Sequence, residues 1–326
     1  MQVFVTGATG FIGSAVTEEL TAAGHTVTAL ARTEAAAKKL SAKGIQPIPG
    51  GLDDMESLRS AAAAADGVIH LAFMHGPSQI PFVPRMGVIF GGLPSGIAGR
   101  FLSVAAAADR RAIQTFGDAL QGSGRPLVTT FGTMGLSHVG FRAPRPATEA
   151  DEPDPLSAGI ARARTEETVE ALASLGVRAT MVRLAPTVHG DGDTGLVPQL
   201  IGIARKSGRF AYVGDGQNRW PAVHRRDAAR LFRLALEKGV AGARYHGVAD
   251  EGIPFRSIAG IIGRQLNIPV ASISAKDAAR TFSWFGDFAA TDNPASSVRT
   301  RNELGWEPVE PGLLADLNGP AYFADK

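Results

Sequence analysis

The chain begins with an apolar strand that runs directly into a glycine-punctuated turn: Val3-Phe4-Val5 is followed by Thr6-Gly7-Ala8-Thr9-Gly10-Phe11-Ile12-Gly13. Few folds accept that order. Gly7 permits a sharp reversal after the strand, Gly10 lets the backbone come close to a ligand, and Gly13 lets a helix pack tightly on a sheet. The helix expected next, Ser14 to Ala23, turns its first amides and the positive end of its dipole toward the turn. That arrangement holds an anion such as a pyrophosphate. The glycines are spaced G-x-x-G-x-x-G, not the commoner G-x-G-x-x-G, so the flanking strand and helix carry as much weight as the glycines. The residues expected around the phosphates are Gly7, Thr9, Gly10, Phe11, Ile12 and Gly13. A purely structural turn is the alternative.

Strands and helices then alternate. Apolar strands are expected at residues 26–30, 46–48, 68–72, 127–130 and 179–182, and helices at 34–42, 55–65, 103–120 and 161–174. Repeated β-α-β units of this length imply an α/β fold, a doubly wound parallel sheet with its ligand at the carboxyl ends of the strands. The alternation thins where Pro, Gly and Trp become frequent, between Pro186 and Pro221 and again after Gly252. The expected division is a dinucleotide-binding domain over 1–186, completed by 222–250, and a small C-terminal substrate cap from 187–221 and 251–326.

Composition excludes several classes. With 33 basic and 31 acidic residues and no Lys/Arg block, nucleic acid is not an expected partner. No cysteine is present, which removes disulfides, thiolate metal sites and cysteine nucleophiles. Asp191 and Asp193 read as a turn and not as metal ligands, and no metal site is expected. The first strand leaves no room for a signal peptide, and the longest uncharged apolar stretch, Met86 to Gly99, is too short and too rich in Gly and Pro to span a bilayer. A cytoplasmic protein without a membrane partner is expected. Between His75 and Arg100 lies a long connection rich in Pro, Gly and bulky apolar residues. It reads either as a flap over a substrate pocket or as a self-association surface.

Strand two ends Leu30-Ala31-Arg32-Thr33, without the acidic residue that bonds the ribose hydroxyls of NAD. Arg32 instead offers a charge-assisted bond to a 2′-phosphate, worth about 1.5–3 kcal/mol, or ten- to hundredfold discrimination. NADP(H) is therefore the expected cofactor. The adenine pocket should have its other edge at Leu52 and Asp53, and Leu71, Ala72 and Phe73 should line the pyrophosphate and nicotinamide ribose.

TGATGFIG, GVIHLAF, VRLAPTVHG, VHRRDAARLFRLALE and ELGWEP, in this order along the chain, are similar to segments of the extended short-chain dehydrogenase/reductase superfamily, the NAD(P)-dependent epimerase/dehydratase-like proteins. GDGDTGLVPQL, YVGDGQNRWPAVH and SSVRTRNELGW resemble an atypical subgroup. The resemblance implies a Rossmann sheet, a Ser/Thr at the end of strand five and a Tyr-x-x-x-Lys pair on the next helix. Thr130 falls at the hydroxyl position, but Ala158 stands at the tyrosine position and Arg162 at the lysine position. The resemblance also brings Pro186 toward the nicotinamide and implies a homodimer through the helices near 103–120 and 161–174.

Without the tyrosine, the usual proton donor is missing, and positioned acid catalysis ordinarily contributes ~10²–10⁴-fold. Arg162 can bond a ribose but cannot shuttle protons, and Thr130 can donate a hydrogen bond to an oxyanion. Three readings stand at this point. One is a reductase of a small apolar carbonyl, imine or activated alkene whose proton comes from water, from a cap residue such as His189 or His224, or from no acid at all, since an iminium accepts hydride without one. Another has a relocated tyrosine, Tyr212. The third is a non-catalytic NADP(H) sensor; sugar-nucleotide epimerase or dehydratase chemistry by the usual route is disfavoured.

Overall fold

Runs of β-branched and aromatic residues without polar alternation need a sheet covered on both faces, and the first and fourth strands of the chain meet that condition. The computed structural model describes residues 1–74, 76, 80, 82–92, 97–157 and 159–324. Its elements begin β1 (Gln2–Thr6), α1 (Phe11–Ala22), β2 (Thr26–Ala31), α2 (Glu34–Ser41), β3 (Gln46–Pro49), α3 (Met55–Ala64), β4 (Gly67–His70). They continue α4 (Phe82–Phe90), α5 (Ile97–Leu120), β5 (Pro126–Gly132), α6 (Ile160–Ala163), α7 (Glu166–Ser174), β6 (Arg178–Leu184). Then follow β7 (Thr187–His189), α8 (Leu196–Ser207), β8 (Phe210–Val213), β9 (Arg219–His224), α9 (Arg225–Lys238), β10 (Arg244–Gly247), β11 (Asp250–Pro254) and α10 (Phe255–Leu266). The chain closes with β12 (Val270–Ile273), α11 (Ala275–Phe282), α12 (Gly286–Ala290), α13 (Val298–Leu304) and α14 (Leu313–Asn318).

A seven-stranded sheet runs in the order β10-β6-β5-β4-β1-β2-β3. The pairs β1–β2, β1–β4, β2–β3 and β4–β5 are parallel, with Val3 opposite Val27 and Val5 opposite Ile69. This is the doubly wound α/β fold. Strand β3 lies at the sheet edge, where Pro47 and Pro49 remove no ladder donor that a neighbour needs. Two smaller sheets, β11-β9-β7 and β12-β8, complete the architecture.

The chain divides into two compact units. The first takes Met1–Phe131, Ala161–Val182 and Phe232–Arg244; the second takes Gly132–Ile160, Arg183–Leu231 and Tyr245–Lys326. In the first unit Phe4, Leu58, Phe116, Leu127, Val169 and Met181 form the core between helices and sheet. In the second, Trp220 is fully buried and packs edge-on against Phe255, with ring centroids 5.0 Å apart, so it belongs to the core of that unit.

Several elements differ from their expected bounds. Helix α1 starts at Phe11, since Gly10 already has the extended backbone of an N-cap (φ −76°, ψ 174°). The helix expected at 161–174 is broken into α6 and α7. The connection from 75 to 100 contains α4 and the start of α5, although His75, residues 77–79, Pro81 and residues 93–96 lie outside the described residues. Val88 of α4 is buried with Met74, Ile80, Ala105 and Ala108, and this packing outweighs the low helix propensity of Gly87, while Pro84 falls in the first turn, where its missing N–H breaks no helical bond. Asp227 sits inside the first turn of α9 and accepts the amides of Val309 (2.9 Å) and Glu310 (3.1 Å). Among the described residues, no helix is long and apolar enough to cross a membrane, and no group of three or more His, Asp or Glu could hold a metal ion.

Candidate functional site

The first unit carries a cleft of about 360 Å³ whose lining includes Gly7, Thr9, Gly10, Arg32, Ala72 and Phe73. It is built from the turn after β1, the end of β2, the loop after β3 and the exit of β4. Gly7 has φ +75°, which L side chains rarely adopt, and a Cβ there would lie 2.8 Å from the Ala72 amide nitrogen. Its carbonyl accepts the Gly10 amide (3.0 Å), closing the turn. A Cβ on Gly13 would fall 2.0 Å from that same carbonyl oxygen, so only glycine lets α1 approach so closely. No side chain caps α1, and its N-terminus opens toward the turn.

Leu52 and Asp53 line the cleft on the β3 side, and Leu71 continues the wall of Ala72 and Phe73. Arg32 stands exposed at the mouth. Leu30, Thr33, Ala36, Gly51 and Met74 also line it. Thr33 caps α2 by accepting the Ala36 amide (3.2 Å), which fixes the loop that carries Arg32. Lys38 is paired with Glu34 at 2.7 Å on the exposed side of α2. Phe11, Ile12, Gly13, Thr130, Arg162 and Pro186 are not among the lining residues.

Behind the cleft wall lies a chain of buried polar groups. Thr6 Oγ1 accepts the Ala72 amide (3.2 Å) and lies 2.7 Å from His70 Nδ1, while His70 Nε2 lies 3.1 Å from Asp109 Oδ1. Donors and acceptors balance if Thr6 donates to Nδ1 and Nε2–H donates to Asp109. Thr130 Oγ1 donates to the His70 carbonyl (3.0 Å), so its proton is engaged within the sheet and not offered to a ligand oxyanion. Arg162 donates from Nη2 to the Thr130 carbonyl (2.8 Å), and its guanidinium lies 4.1 Å from the centre of the Phe73 ring. Burial lowers the Arg162 pKa and the Asp109 charge offsets only part of that, but a guanidinium starts high enough to stay protonated. Arg162 therefore reaches the cleft through Phe73.

The remaining candidates lie in the second unit. The His189 side chain has no solvent exposure, and its Nδ1 is 2.6 Å from Asp316 Oδ2. Its ring meets that of His224 edge-on at 5.4 Å, and burial lowers the His224 pKa. Tyr212 lies on β8 opposite Ser272 of β12 and packs against the apolar core of its unit. Pro186 is half-buried between β6 and β7. Ala158 lies outside the described residues.

Residues 7–196 match the family model described as NAD(P)H-binding. The chain belongs to this NAD(P)H-binding family. It is 45% identical over 99% of its length to the Schizosaccharomyces pombe protein C2A9.02, all of which is covered. It is 30% identical to the 4-hydroxy-2-methyl-3-oxo-4-farnesyl-3,4-dihydroquinoline-1-oxide ketoreductase of Stigmatella aurantiaca, over 75% of this chain and 67% of that one. The dTDP-glucose 4,6-dehydratase DesIV of Streptomyces venezuelae, solved as a double mutant with NAD bound, shares the fold at a TM-score of 0.72 and 20% identity, covering 98% of this chain and 95% of that one. The family is NAD(P)-binding and reductase- or dehydrogenase-like, with structural neighbours among the epimerases and dehydratases of the extended short-chain superfamily. The glycine cradle, the absence of a capping side chain on α1 and the cleft that both border fit a dinucleotide.

Proposed function

We propose that this family member is an NADP(H)-dependent oxidoreductase that reduces a small apolar carbonyl, imine or activated alkene. The observation that carries the choice of NADP(H) is Arg32, exposed at the cleft mouth just after β2, a strand that ends without an acidic residue. In this reading Gly7, Thr9, Gly10, Phe11, Ile12 and Gly13 hold the pyrophosphate, Leu52 and Asp53 border the adenine, and Leu71, Ala72 and Phe73 border the nicotinamide half. The bound dinucleotide supplies a hydride. Arg162, held by the Thr130 carbonyl and the Phe73 ring, steadies the nicotinamide ribose and gives up no proton. Thr130 fixes the exit of β4 through the His70 carbonyl. Since His189 is enclosed and tied to Asp316, we give it a structural role, and Tyr212 on β8 serves packing. The substrate is recognised by segments of 187–221 and 251–326, and two copies pair through α5 and α7, a pairing that light scattering tests.

Calorimetry with NADPH and NADH on the wild type and Arg32→Ala tests the cofactor reading. The variant is expected to lose ten- to hundredfold in NADPH affinity and to keep its NADH affinity. Equal NADPH binding by both proteins would overturn it. Stopped-flow absorbance of NADPH against ketones, imines and enones tests the reductase reading, and binding without turnover across the panel would favour a dinucleotide-binding sensor.

A further inference from the structure

The second unit holds a cavity of about 460 Å³ that follows the 3-10 turn Thr133–Leu136 and faces α12. Its size suits a small organic molecule. Met134, Val139, Leu156 and Phe288 provide apolar walls. Two of its polar side chains are engaged elsewhere: Ser137 donates to the Asp292 carbonyl, and Thr291 donates to the Asp287 carbonyl (2.7 Å). The remaining polar side chains on the lining are His138 and the Asp287 carboxylate.

His138 is built into place. Its Nδ1 lies 2.6 Å from Asp154 Oδ2, while Asp154 Oδ1 accepts the Leu156 amide (2.8 Å) and the Asp154 amide donates to the Gly135 carbonyl (2.8 Å). The ring also stacks on Phe141, centroids 5.1 Å apart and planes 26° apart. Burial raises the Asp154 pKa, but the bonds from His138 and Leu156 outweigh it and hold the carboxyl below its usual range. An ionised carboxylate at Nδ1 keeps the proton there and turns Nε2 outward. Of the imidazole side chains in ion pairs, that of His138 is 26% exposed, against 0% for His189, 2% for His70, 10% for His25 and 11% for His224. A ring fixed by a carboxylate and an aromatic face, with its second nitrogen left for a ligand, is how general acids and bases are mounted.

We propose that this cavity binds an apolar small molecule carrying a single carbonyl or hydroxyl oxygen, and that His138 Nε2 is the group that hydrogen-bonds that oxygen. Asp154 stays ionised and bonded to Nδ1 in the complex, which leaves Nε2 to the ligand. The site does not depend on the reductase reading.

The test uses the full chain with ¹⁵N-labelled histidine and three probes: 1-phenylethanol, cyclohexanol and acetophenone. Nitrogen NMR is expected to show neutral His138 as the Nδ1–H tautomer, with the Nε2 signal moving when at least one probe is added. Asp154→Asn should lose the tautomer preference, and His138→Gln should bind that probe at least about tenfold more weakly with an unchanged melting temperature. A stationary Nε2 signal with all three probes, or equal probe binding by His138→Gln, would overturn the site.

Discussion

Gly10 and Gly13 stand three residues apart in one turn, and alanine at the two positions is expected to fail in different ways. At Gly13 the new Cβ would lie 2.0 Å from the Gly7 oxygen, 2.7 Å from the Gly7 carbonyl carbon and 2.9 Å from Ala8 Cα, all backbone atoms that no side-chain rotation can clear. An ordinary contact needs the Gly7 carbonyl to retreat by more than ~1 Å, which breaks its bond from the Gly10 amide. Overpacking of about 1–3 kcal/mol and a lost hydrogen bond of about 0.5–1.5 kcal/mol give a loss of roughly 1.5–4.5 kcal/mol. Gly13→Ala should therefore melt several degrees lower, at about 2–4 °C per kcal/mol, and bind dinucleotide poorly. At Gly10 the nearest atom to a Cβ is the Gly7 oxygen at 3.2 Å, and the backbone angles suit any L residue. Gly10→Ala should melt close to the wild type, since a narrower unfolded ensemble, worth about 0.4–1 kcal/mol, offsets the few tenths of an ångström that the Gly7 oxygen must give, yet its methyl group enters the cleft. A tenfold or greater loss of NADPH affinity is expected there. Differential scanning fluorimetry and calorimetry on both variants read the contrast. Gly202→Ala, in α8 with no atom within 4 Å of the new Cβ, serves as control and should gain about 0.5–1 kcal/mol. If Gly10→Ala binds NADPH as tightly as the wild type, or if the two turn variants melt alike, the account of the cradle is wrong.

Three further substitutions probe the structure around the site. Asp227 is fully buried and accepts the Val309 and Glu310 amides and the Arg230 guanidinium, so Asp227→Ala should cost about 3–5 kcal/mol in urea unfolding; a loss below about 1 kcal/mol would contradict the assignment. Arg125 donates to the carbonyls of Ala63 (2.9 Å), Ala65 (2.6 Å) and Ala119 (3.2 Å), tying the ends of α3 and α5, and Arg125→Met should lose about 1.5–3 kcal/mol by the same assay. Burial pushes the His246 pKa down to about 4, so the unfolded chain takes up its proton first as the pH falls. Stability should then decline between about pH 6.5 and 4 with a slope of up to ~1.4 kcal/mol per pH unit, and His246→Gln should flatten part of that slope. His224, whose pKa burial also lowers, retains its share in both proteins, and an identical slope in the variant would refute the assignment.

The parts of the fold that the sequence discloses are those fixed by local chemistry. Alternating strand and helix periods place β1 to β6 within a few residues, and the glycine spacing locates the cleft, since positive φ and close approach are demands that a single residue type meets. The polar chain behind the cleft is less visible. Asp109 pairs with His70, 39 residues away in sequence, and nothing near either one announces the other. A usable signal does exist: Asp109 falls on the apolar face of α5 among Ala105, Ala108, Ala112 and Phe116, where a carboxylate must have a partner. His138 is a lone histidine in a loop, and its carboxylate partner comes 16 residues later. His189 and His224 read from the sequence as cap residues able to donate a proton, yet each closes a β-strand, β7 and β9, and that position buries both. Helix α4 is hidden by Pro84, which reads as a breaker although it falls in the tolerant first turn, and by Gly87, whose preference yields to the burial of Val88.

Neither unit is a continuous stretch of chain: the first is finished only by Phe232–Arg244, the second only by residues from Tyr245 onward. On the ribosome, the nucleotide cleft can take shape early, but the last strip of its unit emerges after about three-quarters of the polypeptide has been made. Trp306, Asp316 and Tyr322 then engage partners synthesised far earlier, at Asp227, His189 and Asp193. A nascent chain stalled before these residues would hold half-formed contacts open to chaperones, and simple deletion of the C-terminal third would remove material from both units at once.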